Sequence, residues 1–323
     1  MDQGTTSVAR SVLGRLGLLA LGVLLGLIVL EAGLQAGAVW MRLGGQTLPS
    51  SWVSGNRRVL CLGDSNTYGL YLEDRAKAYP QQLELLWNTV MPTNRIEVLN
   101  LGYPGTNSSR LRRDLPHMLE VLRPDVVVVL VGANDCWTAP VPIGEPQGLV
   151  TRLGRFVQRH SRLYQLAYML GRASSANGVE IRNERADKNG GSGTIRFGAA
   201  EFSMGFEKGP YRADFGADLE RNLAAIVELT QGVGAQLVLL TYPSEEWNYG
   251  DANRHIRVAA ERTGTPLVDT APVLKPACPR EPCPAYLYRD HHPTAQGYGL
   301  MALALMRRLL ETNLAPASAK PQH

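Results

Sequence analysis

The sequence predicts an α/β fold built on a parallel sheet, preceded by one N-terminal membrane helix. Three observations lead there. Strand-like and helix-like segments alternate along most of the 323 residues, a rhythm that calls for right-handed crossovers between parallel strands. Residues 125–131 (Asp-Val-Val-Val-Val-Leu-Val) form a continuous apolar run, as expected of a strand covered on both faces. Residues 16–30 are fifteen in a row without a charge.

Between Val12 and Trp40 only Arg15, Glu31 and Gln35 are strongly polar. A bilayer span needs about 20 predominantly apolar residues, so residues 12–40 read as a transmembrane signal-anchor. Residues 1–11 are then a short cytoplasmic N-terminus, because Arg10 and Arg15 lie on that side. The body of the chain is expected outside the cytoplasm, in the periplasm of a Gram-negative cell. Ala36-Gly37-Ala38 offers a cleavage site, which leaves secretion after signal-peptide removal as the alternative.

After a linker at 41–56, one domain is expected over 57–313. Its elements follow in order. Strand 58–62 leads to helix 79–90, with Leu83, Leu86 and Trp87 on one face; strand 96–101 leads to helix 108–122. Strand 125–131 comes next, then helix 215–231, strand 236–241, helix 252–263, short strand 266–269 and helix 294–312. The rhythm breaks over an insertion at 137–214. It holds a Pro-rich loop (Pro140, Pro142, Pro146), a helix near 156–170 and a polar, Gly-rich tract at 177–198 that reads as loop. Insertions of this length are commonly lids or binding loops. Residues 314–323 read as a disordered tail.

The net charge of +4 is mild and the basic residues are scattered, which excludes a nucleic-acid footprint. Cys278 and Cys283 bracket Pro-Arg-Glu-Pro and form a candidate disulfide for an oxidising compartment. Cys61 and Cys136 read as core residues. No Cys/His pattern has zinc spacing, so no metal site is expected.

Four polar segments carry the chemistry. Gly63-Asp64-Ser65-Asn66 follows the first strand, Asn100-Leu101-Gly102-Tyr103-Pro104-Gly105 the second, and Gly132-Ala133-Asn134-Asp135 the third; Asp290-His291-His292-Pro293 opens the last helix. In a parallel sheet the carboxyl ends of the strands share an edge, so these segments should converge. Ser65 can attack a carbonyl if His292 takes its proton, and a carboxylate would hold the imidazole in the right tautomer. The backbone N–H groups of Ser65 and Gly102 and the Asn134 amide would form an oxyanion hole. Asp64 and Asp135 are expected to support loop amides. Trp137 stands either at the pocket or in the core. His117, His160 and His255 lie on helical patterns, as surface or core residues.

In this order, the four segments resemble the blocks of the SGNH (GDSL-type) hydrolases, over roughly residues 57–310. The resemblance implies a three-layer αβα sandwich with a flavodoxin-like parallel sheet. It also implies ester hydrolysis or acyl transfer without metal or cofactor. The Gly-x-Ser-x-Gly elbow of α/β-hydrolases is absent around Ser65. One departure stands out. The family places its Asp three residues before the His, where this chain has Arg289, so Asp290, two before His292, is the expected acid. A backbone carbonyl or Asp269 is the alternative, and His291 is the less favoured base. The expected activity is that of a membrane-anchored serine esterase acting on a small-molecule or glycan ester, such as an O-acetyl group. A lipase, lysophospholipase or thioesterase, an O-acyltransferase, and a non-catalytic binding or scaffolding module are the alternatives.

Overall fold

The computed structural model describes residues 55–137, 179–187, 190–197 and 200–312, together with Trp52, Ser161 and all of 15–35 except 16, 20, 24 and 34. The chain divides into two units, one of residues 1–50, 146–176 and 322–323, the other of 51–145 and 177–321.

In the first unit the described residues of 15–35 are helical and expose Leu18, Leu19, Val23, Ile28 and Val29. Glu31, the one acid in this apolar stretch, accepts from Gln35 Nε2 at 2.7 Å and from the Ser161 hydroxyl at 2.9 Å. Among the described residues no helix is long and apolar enough to cross a membrane. The expected N-terminus 1–11, most of the linker, the cleavage site 36–38, the Pro-rich loop, the helix near 156–170 apart from Ser161, and the tail 314–323 lie outside the described residues.

The second unit is built on a five-stranded parallel sheet. In chain order its elements begin with β1 (Arg57–Gly63), a single turn α1 (Ser65–Tyr68), α2 (Tyr79–Val90), β2 (Ile96–Asn100), α3 (Ser108–Leu122) and β3 (Val126–Leu130). After the insertion come α4 (Phe215–Gly232) and β5 (Gln236–Leu240).

 The remaining helices are α5 (Trp247–Thr263), α6 (Thr270–Leu274) and α7 (Ala295–Glu311), with the short strand β6 (Leu267–Val268) between α5 and α6. The label β4 denotes the antiparallel ribbon inside the insertion, whose three strands are Val179–Asp187, Gly190–Phe197 and Ala200–Glu207. The parallel sheet runs β2-β1-β3-β5-β6. Val59 to Gly63 of β1 pair in register with Val126 to Leu130 of β3, so both strands end at one level.

β3 is buried along its whole length, and each such side chain removed from water contributes about 1.5–3 kcal/mol before entropy is counted. Helices α2, α3, α4, α5 and α7 bury their apolar faces in the same core as the sheet. α5 begins five residues earlier than the helical pattern predicts, at Trp247. The tract read as loop at 177–198 is a correction, since it forms the first two strands of β4. Ile195, Phe202 and Met204 of the ribbon are buried, and the Phe202 ring meets His117 of α3 edge-on at 5.8 Å.

Candidate active site

The carboxyl ends of β1, β2 and β3 bring three of the polar segments to one edge of the sheet, and the loop before α7 brings the fourth, with His292, to the same place. β1 delivers Asp64 and Ser65 there, and the Asp64 side chain caps α1 by accepting the Asn66 N–H at 2.9 Å. Ser65 is thus the first residue of a helical turn, and its own N–H has no acceptor among the described residues.

His292 Nε2 lies 2.8 Å from Ser65 Oγ, across 227 positions of sequence. On the other side of the ring, Nδ1 lies 3.0 Å from Asp290 Oδ2. That contact has the distance of an ion pair but not the alignment of a hydrogen bond, since Nδ1 has no well-directed acceptor. The other carboxylate oxygen accepts the His292 backbone N–H at 3.4 Å. Burial pushes the imidazole below its ordinary value of 6.5, with the Asp290 charge opposing and His291 adding to the drop. Burial works against the Asp290 charge, yet His292 and the Tyr71 hydroxyl outweigh it and leave this carboxyl below its usual range. Neutral imidazole beside an ionised carboxylate is the pairing a general base needs.

Asp64 lies beneath Ser65 and is almost wholly buried. It accepts from the Tyr242 hydroxyl at 2.5 Å and from Asn134 Nδ2 at 3.3 Å. Burial raises it to about 6, against the pull of the Tyr242 hydroxyl and of Asn66. Asp135 is raised by burial to about 7. It accepts the Ser108 N–H at 3.0 Å and the Ser108 hydroxyl, so it ties the end of β3 to the start of α3. Neither aspartate touches His292 through any of these bonds.

Asn134 Nδ2 also donates to Thr106 O at 3.1 Å, and Trp137 Nε1 donates to Asn134 Oδ1 at 3.2 Å. Trp137 therefore packs against the core and lines the pocket as well. Gly102 is a correction. Its N–H is taken by Asn100 Oδ1 at 2.9 Å, and a Cβ there would lie 2.3 Å from Tyr68 N. The glycine lets the turn after β2 press against α1, and its N–H is no free donor. On the same loop the N–H of Gly105 has no acceptor among the described residues. Gly105 has φ 79°, a conformation glycine adopts freely.

Two alternatives for the acid and base take other partners. Asp269 accepts from Arg257 and from the Thr241 hydroxyl, each at 2.8 Å. His291 pairs through Nδ1 with Glu281. Cys278 and Cys283 are joined as a disulfide, while Cys61 and Cys136 are free and buried.

The pocket over Ser65 is about 190 Å³ and is lined by Asp64, Ser65, Ala133, Asn134, Trp137, Trp247, Asn248, Tyr249, Asp290 and His292. Tyr71, Tyr242, Trp247 and Tyr249 had no place in the sequence reading. Tyr242 carried one usable signal, because it stands at the end of a strand like the other site segments. Tyr71 and Trp247 carried none, since each depends on a backbone with positive φ.

Residues 61–300 match the profile of the GDSL-like Lipase/Acylhydrolase family. None of the curated proteins compared matches the chain. Among solved structures, a putative lipolytic protein of the G-D-S-L family from Desulfitobacterium hafniense is similar at 16% identity and TM-score 0.47, covering 79% of this chain and 100% of that one. Axe2, an acetylxylan esterase from Geobacillus stearothermophilus, is similar at 19% identity and TM-score 0.48, covering 79% of this chain and 95% of that one.

Proposed function

Since this chain belongs to the GDSL-like Lipase/Acylhydrolase family, and so to the carboxylic ester hydrolases, we propose that it cleaves short-chain esters through an acyl-enzyme on Ser65. The single observation that carries this reading is the 2.8 Å contact between Ser65 Oγ and His292 Nε2. His292 takes the serine proton as Oγ attacks the ester carbonyl. The Asp290 carboxylate stabilises the imidazolium that forms. Charge developing on the carbonyl oxygen is met by the Ser65 N–H, the Asn134 amide and the Gly105 N–H, the last replacing Gly102. Asn134 gives up its longer bond, the one to Asp64, to do so. His292 then protonates the leaving alcohol, and water, activated by the same imidazole, releases the acid.

The pocket size supports a short acyl group. About 190 Å³ for acyl group and alcohol together is below the roughly 300–1,000 Å³ of pockets that enclose drug-sized ligands, which suits an acetyl ester better than a fatty one. An O-acetyl group on an envelope or secreted glycan is the substrate we favour. An extracytoplasmic location is part of the proposal, with residues 12–40 as the anchor. It is supported by the uncharged run at 16–30, the exposed apolar side chains of the N-terminal helical residues, and a disulfide of the kind that persists in oxidising compartments.

Hydrolysis of p-nitrophenyl acetate, butyrate and octanoate by the full chain tests the chemistry. Acetate is expected to be preferred, and Ser65→Ala is expected to lower kcat by at least about 10,000-fold. Activity that survives Ser65→Ala sinks the mechanism. A reporter fused after residue 45 and active only in the cytoplasm overturns the location.

A further inference from the structure

Trp247 is exposed over 68% of its surface although it is the first residue of α5. Its φ of 57° lies in the left-handed region, which is costly for a bulky aromatic residue. Burial does not repay that strain, so a contact absent from the free protein is its natural purpose. The indole is also held in place. It meets the His291 ring edge-on, with centroids 5.0 Å apart. His291 Nδ1 pairs with the Glu281 carboxylate, and Glu281 also accepts from the Ser244 hydroxyl at 2.8 Å. Glu281 sits inside the loop closed by the Cys278–Cys283 disulfide.

We propose that Trp247 is a specificity residue that receives the ring of the leaving alcohol, a sugar, and that the Glu281–His291 pair positions it. This rests on the esterase reading above. The leaving oxygen takes its proton from His292, so the alcohol must lie on the imidazole side of Ser65. Trp247 is tied to His291, the residue next to that imidazole, and lines the same pocket as Ser65 and His292. The pocket wall includes two indoles, Trp137 and Trp247, and the polar side chains of Asn134, Asn248 and Asp290. A sugar ring matches this mixture, with C–H faces for the indoles and hydroxyls for the polar groups. An aliphatic alcohol would desolvate those polar groups without pairing them.

The test compares acetate release by the full chain from methyl tetra-O-acetyl-glucoside and from ethyl acetate, whose alcohol has no ring. Trp247→Ala is expected to lower kcat/KM for the sugar ester by about 10-fold, mostly through KM, and to leave ethyl acetate within about two-fold. Trp247→Phe should restore part of the loss. Glu281→Gln, and separately the Cys278→Ser/Cys283→Ser pair, should give a smaller loss of the same selectivity. Equal losses on both esters, no loss on either, or a wild-type enzyme that spares the sugar ester would each overturn the proposal. Full selectivity in Glu281→Gln would remove the positioning role. Activity in Ser65→Ala would bring down the esterase reading instead, so the two failures are distinguishable.

Discussion

Ser65 stands at the end of β1 over side chains that are almost wholly buried, whereas His292 stands on a loop whose supports are partly open to solvent. On the serine side, Asp64, Asn66 and Asn100 are no more than 1% exposed. They bond to backbone and to one another within the frame of three adjacent strands. On the histidine side, the Asp290 side chain is 35% exposed, and Tyr71 is 57% exposed. The loop there is fixed by a few backbone bonds, such as Tyr288 N–H to His292 O at 2.7 Å, and by ring edges. The nucleophile is therefore placed by the sheet, while the base is placed by side chains that could be exchanged with little cost to the core. Substitutions on the two sides should divide accordingly, those near His292 changing rate and those near Ser65 changing stability.

The widest separation is expected at Asp290. Asp290→Asn removes the charge that stabilises the His292 imidazolium, and kcat should fall by about 100- to 1,000-fold, with the melting temperature nearly unchanged. The loss should be milder than for a well-aligned buried acid, because the contact of Asp290 with Nδ1 is poorly directed. Near-full activity would show that another group holds the imidazole.

Gly102→Ala should show the reverse pattern. The new Cβ would lie 2.3 Å from Tyr68 N and 2.6 Å from the Thr67 carbonyl carbon, both backbone atoms. Overpacking against backbone should cost about 2 to 3 kcal/mol of stability, read as a lower urea midpoint. An unchanged midpoint would mean that the turn after β2 can move away from α1.

A smaller effect, visible only through pH, is expected at Asp135. Burial lifts its carboxyl from 3.8 to about 7. Between those values the unfolded chain has already lost the proton that the folded chain keeps, so this residue makes stability fall as pH rises through the window. Asp135→Asn should flatten that part of the slope when urea midpoints are compared from pH 4 to 8. An unaltered slope would show that Asp135 ionises normally in the fold.

The same contrast explains what was legible in the sequence. β1, β3 and β5 were visible because strands buried on both faces need apolar runs, and the polar residues after β1 and β3 named Asp64, Ser65, Asn134 and Asp135. The shift of the acid was visible too, because Arg289 stands three residues before His292 and Asp290 only two. The antiparallel ribbon β4 was hidden, because its sequence mixes glycines and charges with scattered apolar residues, of which Ile195, Phe202 and Met204 are buried. The fate of the Gly102 N–H was hidden for another reason: whether a backbone donor is free depends on a side chain two residues away, which no periodicity records. Tyr71 and Trp247 are exposed aromatics, one on a loop and one at the start of α5, and their importance lies wholly in where the backbone places them.

Tyr71 offers the finest division between the two sides. Its φ of 68° turns it out of the usual backbone regions, and its ring meets His292 edge-on, with centroids 5.5 Å apart. The nearby Asp290 carboxylate raises its hydroxyl, and that hydroxyl in turn helps to keep Asp290 ionised. Tyr71→Phe keeps the ring and removes only the hydroxyl, so kcat should fall by a few-fold, on the order of a single hydrogen bond to a charged group, with KM unchanged. The acid limb of the kcat/KM profile, expected below pH 6.5 because burial holds His292 low, is the sharper readout. With its carboxylate less firmly placed, Asp290 would support the imidazolium less well, and the limb should move further toward acid. If Tyr71 acts through Asp290, the change should be absent when Tyr71→Phe is made in an Asp290→Asn background. A full additional loss in that background would mean that the tyrosine acts on the substrate or on His292 directly.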